Sequence, residues 1–285
     1  MNLFQTKSKS KSRYYELDVL RGIAVLLMVV YHFCFDLEYF GVYLPPSWFR
    51  LQQFYGFLFT ILVIGVAVFI GIAGVSLALS ASITKDTPSL SKKLIKRGAS
   101  ILAIGLLITA VTWIYPHDRA ILFGVLHLIG LSTILTVPFL TRLTKEAQDF
   151  EKYKEKPVLF SLFTRVSWLL PLVIGIIIIL ASNIVGKING PIWLVPLGIH
   201  PDGLYMLDYE PLFPWFGVIL VGIAVGTWLY PKGERRFSMG LLKNEPLFLT
   251  PFSFIGRHSL VIYLTHQPII LGILLLVGVI ELGLF

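Results

Sequence analysis

The chain has 285 residues, of which 56% are hydrophobic and 14% are charged, and its mean hydropathy is +0.80. An average soluble domain carries about 25% charged residues, so this composition excludes an ordinary soluble protein. The single cysteine, Cys34, excludes an intrachain disulfide and a metal site built from several cysteines. The formal net charge of +8 does not indicate nucleic-acid binding, because the basic residues are distributed as in a membrane protein.

Apolar runs near 20 residues recur along the chain, and each is long enough to cross a bilayer as a helix. They predict an all-α, polytopic membrane bundle of about seven transmembrane helices, at residues 16–36, 54–80, 98–115, 120–140, 166–185, 211–230 and 258–281. A shorter apolar piece at 188–199 contains two prolines and is predicted to be interfacial or re-entrant. Residues 1–13 are predicted to be a disordered basic tail, which leaves 14–285 as one membrane domain. Small residues in spans two and six are predicted to let helix backbones approach closely; they include Gly71, Gly74, Gly222 and Gly226.

The lysines and arginines predict the orientation. All but three of the 24 fall in the tail, at the start of span one, or in the three loops on the same side as that tail. The exceptions are Arg50, Arg119 and Lys187. The positive-inside rule therefore predicts a cytoplasmic N-terminus in a multi-pass protein of the cell membrane, with a bacterial inner membrane as the expected location.

Span one carries a polar stripe. At about 100° per residue, Asp18, Arg21, His32 and Asp36 share an arc of about 60° along a rise of about 27 Å, so this face is predicted to point into the bundle or a wet cavity. An ion pair between Asp18 and Arg21 that only fixes the depth of the helix is an equally good interpretation of those two residues.

Span seven carries a second stripe, in which Ser259, Tyr263 and His266 lie within about 60° of one another and Gln267 is adjacent. A transport or catalytic site and a purely structural hydrogen-bond cluster both fit it. His127, inside span four, is a further candidate for lining a site.

Five segments match one known family in order and spacing. They are residues 17–24 (LDVLRGIA), 73–80, 124–130 (GVLHLIG), 207–211 (LDYEP) and 256–266 (GRHSLVIYLTH). Together they resemble the heparan-α-glucosaminide N-acetyltransferase family of transmembrane acyltransferases, in a short, bacterial-type form. The resemblance implies an enzyme that takes acetyl groups from cytoplasmic acetyl-CoA and passes them to an acceptor at or beyond the far face.

The resemblance also sets the expected partners. They are membrane lipid, acetyl-CoA as the donor substrate, and a sugar or lipid-linked sugar with an amine or hydroxyl; no metal is expected, and a homo-oligomer is possible. The eukaryotic motif has asparagine where this chain has His32, and its catalytic histidine follows span one. This chain has no histidine between His32 and His117, so the eukaryotic acceptor, a terminal glucosamine, does not carry over.

Within that reaction, His32 and His266 are expected at the same depth near the midplane, from the rise of each helix above its cytoplasmic end. His32 is predicted to be the general base and Asp36 to orient its ring. His266, with Tyr263 and Gln267, is predicted to shape the thioester site. The remaining expected contacts are Arg21, Arg97 and Arg257 for acetyl-CoA, and Asp18, His127 and Asp208 for substrate.

Two other functions remain open from the sequence. Intramembrane His, Asp and Arg residues also serve proton-coupled transporters and flippases, although no inverted repeat is evident. A non-catalytic membrane subunit is the third alternative.

The predicted orientation is tested with reporter fusions. Fusions after Lys92, Lys152 and Arg235 should report a cytoplasmic location, because each follows a basic loop. Fusions after Arg50, Asp118 and Asp202 should report the opposite side, and a disagreement between the Lys92 and Lys152 fusions contradicts seven spans.

Overall fold

The computed structural model describes residues 14–40, 51–84, 86–114, 117–152, 167–240 and 244–280. The predicted basic tail lies outside these residues. The helices in the described part of the chain are α1 (Tyr15–Tyr39), α2 (Leu51–Ser82), α3 (Thr87–Ile114), α4 (Val125–Leu135), α5 (Val137–Lys152), α6 (Leu169–Val185), α7 (Leu212–Leu229), α8 (Thr250–Arg257) and α9 (Ser259–Leu276). Short 3-10 turns occupy His117–Arg119, Ile192–Leu197, Pro231–Gly233 and Leu247–Leu249.

The helices confirm a polytopic membrane bundle. Six are long and apolar enough to cross a bilayer: Tyr15–Leu37, Phe59–Ser82, Thr87–Ile114, Val125–Lys145, Leu212–Leu229 and Ser259–Leu276. The fourth runs through both α4 and α5. Helix α6 is also apolar, but has only 17 residues, or about 26 Å at 1.5 Å per residue. The 188–199 piece forms a short 3-10 turn, too short to cross a membrane.

The described residues fold into two compact units, one within Met1–Phe69 and Met239–Phe285 and the other within Ile70–Ser238. In the first unit, α1 packs against α8 and α9. The crossing of α1 and α8 depends on glycine, because a Cβ at Gly22 would overlap the carbonyl of Phe252 and one at Gly256 would overlap the carbonyl of Asp18. The sequence did not predict α8 as a separate helix; it ends at Arg257, and α9 begins at Ser259.

Helices α1 and α9 run in the same direction. Along α1, His32 contacts His266, Asp36 binds Gln267, and Leu37 packs in an apolar cluster with Ile270. The residue numbers therefore rise together on both helices. First and last spans that run parallel require an odd number of crossings, so the parallel pairing favours seven spans, with α6 as the additional one.

In the second unit, close helix contacts lie where the sequence predicts them. A Cβ at Gly74 would overlap the carbonyl of Ile219, and one at Gly222 would overlap the carbonyl of Gly71. These contacts bring the end of α2 against α7. The prediction that these glycines serve helix packing is therefore confirmed, since the backbones meet where each side chain would be.

Candidate functional site

A buried contact between α1 and α9 joins the two predicted polar stripes. The Gln267 amide donates from Nε2 to both carboxylate oxygens of Asp36, at 2.8 and 2.9 Å. Asp36 is only 3% exposed. The prediction that the stripe of span one faces into the bundle is confirmed here, because a carboxylate inside a membrane needs a protein donor.

The two candidate histidines face one another next to that contact. The ring centroids of His32 and His266 are 4.8 Å apart, with the rings nearly perpendicular at 80°. Their predicted common depth is therefore confirmed. The prediction placed His266 on one helix with Arg257, but the chain changes helix at His258. The common depth of the two histidines therefore rests on the contact between their rings.

Backbone carbonyls set the orientation of both imidazoles. His32 Nδ1 lies 2.9 Å from the Met28 carbonyl, and His266 Nδ1 lies 2.7 Å from the Tyr263 carbonyl. A carbonyl only accepts hydrogen bonds, so in both neutral rings Nδ1 carries the hydrogen and Nε2 carries the lone pair. The prediction that Asp36 orients His32 is corrected here. Met28 takes that role because its carbonyl lies one helical turn before His32, whereas Asp36 binds Gln267.

Two buried acceptor atoms on α9 have no hydrogen-bond partner among the described residues. They are Nε2 of His266 and Oε1 of Gln267. The Asp36 carboxylate fixes the orientation of the Gln267 amide, because a carboxylate accepts hydrogen bonds and only the amide nitrogen can donate them. Its oxygen is therefore the atom left over. Two unpartnered acceptors on consecutive residues are unusual, because most buried polar atoms in proteins have a hydrogen-bond partner.

The charged residues at the other end of the first unit are held by neighbours. Arg21 pairs with Asp18 at 2.9 Å, as the ion-pair interpretation predicted. Arg257 donates from Nη2 to the Ser253 hydroxyl at 2.9 Å and from Nε to the Ser253 carbonyl at 3.2 Å. Arg21 and Arg257 each adjoin a glycine of the α1–α8 crossing.

The second unit contains the other predicted site residues. Arg97 is exposed on α3. His127 is 3% exposed and has protein partners for both ring nitrogens: the backbone N–H of Gly124 donates to Nδ1 at 3.2 Å, and Nε2 lies 3.1 Å from the Thr109 hydroxyl. That hydroxyl donates its one hydrogen to the Ile121 carbonyl, so it accepts from Nε2–H. These bonds indicate that His127 supports the start of α4.

Asp208 and its neighbours tie two loops together in the second unit. The Asp208 carboxylate accepts from the backbone N–H of Val125 at 3.2 Å, at the N-terminus of α4. The backbone N–H of Glu210 donates to the Phe123 carbonyl at 3.0 Å. A Cβ at Gly124 would overlap the Asp208 carboxylate, so glycine is needed for this approach. Asp208 thus supplies the cap that a glycine at the N-cap position lacks.

Glu210 is a titratable group that the sequence did not mark as a site residue. Burial, followed by the neighbouring charge of Asp208, raises its pKa to about 8, although a hydrogen bond with Trp215 opposes this shift. Burial likewise raises the pKa of Tyr209 to about 12. The sequence shows Asp208 and Glu210 as acidic residues of one loop. It does not show that this loop packs against residues 119–125.

A metal centre finds no support in the described residues, where no group of three or more His, Cys, Asp or Glu side chains could hold an ion.

Comparison with known protein families shows what the chain is similar to. A protein-family model described as "Heparan-alpha-glucosaminide N-acetyltransferase, catalytic" matches residues 13–148 and 157–268. This match covers most of the chain and includes α1, α8 and the part of α9 that carries His266 and Gln267. No curated protein and no solved structure matches the chain.

Glu210 predicts a pH dependence of stability. Its pKa in the folded protein, about 8, lies above the ordinary value of 4.5, so the folded state retains a proton that the unfolded state loses. Stability should therefore fall as the pH rises from 4.5 to about 8, and then level off. The melting temperature of detergent-solubilised Glu210→Gln should fall less over that interval than that of the wild type. Equal slopes for the two proteins would contradict the assignment.

Proposed function

The chain belongs to the heparan-alpha-glucosaminide N-acetyltransferase catalytic family, and we propose that it transfers an acetyl group from acetyl-CoA to an amine or hydroxyl of a glycan-type acceptor. Family membership supports a membrane acetyltransferase in general. The donor, the acceptor and the direction of transfer, from the cytoplasm to the far face, are parts of the proposal.

The facing imidazoles of His32 and His266 carry the proposal. Because each Nδ1 lies within hydrogen-bond distance of a backbone carbonyl, each Nε2 carries the lone pair that a general base needs to accept a proton. The acceptor nitrogen or oxygen attacks the thioester carbon, and His32 takes the proton that the nucleophile loses. The carbon–sulfur bond then breaks, and the leaving thiolate of coenzyme A takes up that proton.

Asp36 has a supporting role in this proposal. Its charge stabilises a protonated His32 from the same face of α1, and its carboxylate holds the Gln267 amide in one orientation. Tyr263 contributes its carbonyl to His266, and its ring lies 5.8 Å from the His266 ring. Direct transfer requires no covalent enzyme intermediate, and we favour it over an acetyl-histidine.

The arginines are the proposed contacts for coenzyme A, which carries several phosphate charges. Arg21 and Arg257 lie at one end of the first unit, beside the α1–α8 crossing, and Arg97 lies on α3 of the second. Asp18 stays a proposed substrate contact, and its ion pair with Arg21 would also hold that arginine in place. Asp208 stays a proposed substrate contact. The expectation that His127 contacts substrate as well gives way to a structural role at the start of α4, because both of its ring nitrogens have protein partners.

A proton-coupled transporter is the second candidate, because the same His and Asp residues would suit a proton path. The family match favours acetyl transfer. Release of free thiol from acetyl-CoA by the purified protein would separate the two functions.

Substitution of His32 tests the catalytic assignment. His32→Ala should fold and bind acetyl-CoA but release thiol about 100-fold more slowly or worse, because general base catalysis contributes roughly 10²–10⁴-fold. The measurement is acceptor-dependent thiol release, after size exclusion has shown a folded protein. His117→Ala is the matched control, since His117 is exposed on a 3-10 turn. A wild-type rate in His32→Ala would eliminate His32 as the base.

Substitution of Arg97 tests the donor assignment. Arg97→Ala should raise the dissociation constant for acetyl-CoA, because a charge-assisted contact to phosphate is lost, and added salt should weaken binding by the wild type in the same direction. Arg142→Ala, which removes another exposed arginine, should leave the constant unchanged. If Arg97→Ala binds acetyl-CoA as well as the wild type does, Arg97 serves only to orient the protein in the membrane.

A further inference from the structure

We propose that residues 188–197 form a membrane-anchoring surface, on which the side chains of Ile192 and Trp193 lie among the acyl chains and glycerol groups of the lipid leaflet at the C-terminal end of α6. The sequence leaves an interfacial and a re-entrant placement of this segment open. The contacts within the second unit favour the interfacial placement and point to lipid as the partner. The inference does not depend on acetyl transfer.

The first step is that α6 packs on protein with one face and is open on the other. A Cβ at Gly175 would overlap the carbonyl of Gly217 on α7, so the two backbones meet there. The open face carries aliphatic side chains spaced three and four residues apart, which lie roughly 140–200° around the helix from Gly175. They are Val173, Ile177, Leu180 and Ile184, and each is more than half exposed. Such a face on a helix of a membrane bundle contacts acyl chains.

The second step is that the apolar surface continues beyond the end of α6. The N–H of Ile188 donates to the Val185 carbonyl at 3.0 Å, so the helical winding extends to Ile188, four residues after Ile184. Ile188 is 47% exposed, and in the following turn Ile192 is 52% and Trp193 72% exposed. An exposed apolar surface that continues the lipid-facing side of a helix is the kind that lipid covers.

The third step is that hydrogen bonds hold the turn in this form. At its base, the N–H of Gly190 donates to the His200 carbonyl at 3.3 Å. At its end, the N–H of Gly198 donates to the Val195 carbonyl at 3.1 Å. The Val195 side chain is only 2% exposed. The turn therefore has one side fixed in the protein, and the exposure of its other side is a property of the fold.

The fourth step concerns the depth of the turn in the bilayer. The 17 residues of α6 extend about 26 Å, which is less than the hydrocarbon thickness of about 30 Å. Interfacial anchors accommodate such a shortfall, and tryptophan is enriched at the level of the headgroups because its apolar ring carries one N–H donor. Lys187 and Asn189 are exposed beside the turn and supply polar groups at the same level. These features place the turn at the bilayer surface.

The anchored turn would also hold the loop that carries Asp208. The Tyr209 hydroxyl donates to the Val195 carbonyl at 2.9 Å. Its neighbour Asp208 accepts from the N–H of Val125 at the start of α4. Lipid contact at Trp193 therefore fixes the height of this loop relative to the bilayer.

Site-directed spin labelling tests the depth of the turn. The full-length protein with Cys34→Ser has no other cysteine, so Ile192→Cys and Trp193→Cys can each be labelled with a nitroxide in phosphatidylcholine nanodiscs. Ile177→Cys, on the open face of α6, is the reference for lipid, and Asp202→Cys, at an exposed loop position, is the reference for water. The measured quantity is the ratio of collision rates with oxygen, which partitions into lipid, and with a nickel chelate, which stays in water.

At both turn positions this ratio should exceed that at Asp202 by about threefold or more, because the polar chelate is excluded from apolar surroundings, and it should lie below that at Ile177. A ratio equal to that at Asp202 overturns the anchor, and one above that at Ile177 indicates a re-entrant segment instead. Low collision rates with both reagents indicate a protein partner, such as a second copy of the chain, and also overturn it. Ile192→Cys retains Trp193, so it decides the matter if Trp193→Cys does not fold.

A second measurement keeps the natural indole in place. The difference in fluorescence between the wild type and Trp193→Phe gives the emission of Trp193. Lipids brominated near the glycerol should quench this emission more strongly than lipids brominated at the chain ends, because an anchoring indole lies at the interface. Stronger quenching from the chain ends, or no quenching by either lipid, contradicts the proposed depth.

Discussion

A carboxylate inside a bilayer must obtain its hydrogen bonds from protein, and for Asp36 the donor is the Gln267 amide. This contact joins α1 to α9 across 231 positions of sequence. It also brings the polar faces of the two helices together, since the ring of His32, one turn before Asp36 on α1, contacts the ring of His266 on α9. Beyond it the contact becomes apolar, with Leu37 against Ile270. The geometry of the histidine pair therefore depends on one buried polar contact.

The other end of α1 is held by a different kind of force. At the crossing with α8, glycine allows backbone to meet backbone at Gly22 and Gly256, and such close approach is a main source of helix association where water provides no hydrophobic driving force. The crossing also carries Arg21 and Arg257. A specific polar contact at one level and a close backbone contact at the other leave α1 little freedom to rotate, which is what a site built from two facing rings requires.

The helical period made part of this site predictable from sequence. Polar residues that repeat on one face of a membrane helix must be buried, so the burial of the two stripes was predictable. The rise per residue gave the common depth of His32 and His266. The small-residue pattern gave the packing role of Gly74 and Gly222. Partners across the interface did not follow, because they depend on the register between helices. Asp36 was therefore assigned to His32, four residues away, rather than to Gln267. Helix α8, which ends at Arg257 just before the predicted seventh span, was not predicted either.

The second unit provides an internal comparison for the unsatisfied atoms of the first. His127 is as deeply buried as Asp36, and both its nitrogens have partners: a backbone N–H on Nδ1 and the Thr109 hydroxyl on Nε2. Such a histidine needs nothing from a ligand. His266 can also form a hydrogen bond at each ring nitrogen, but in the described residues only Nδ1 has a protein partner. Because a buried acceptor without a partner costs free energy, the contact between α1 and α9 carries a cost at His266 and Gln267 that the surroundings of His127 do not.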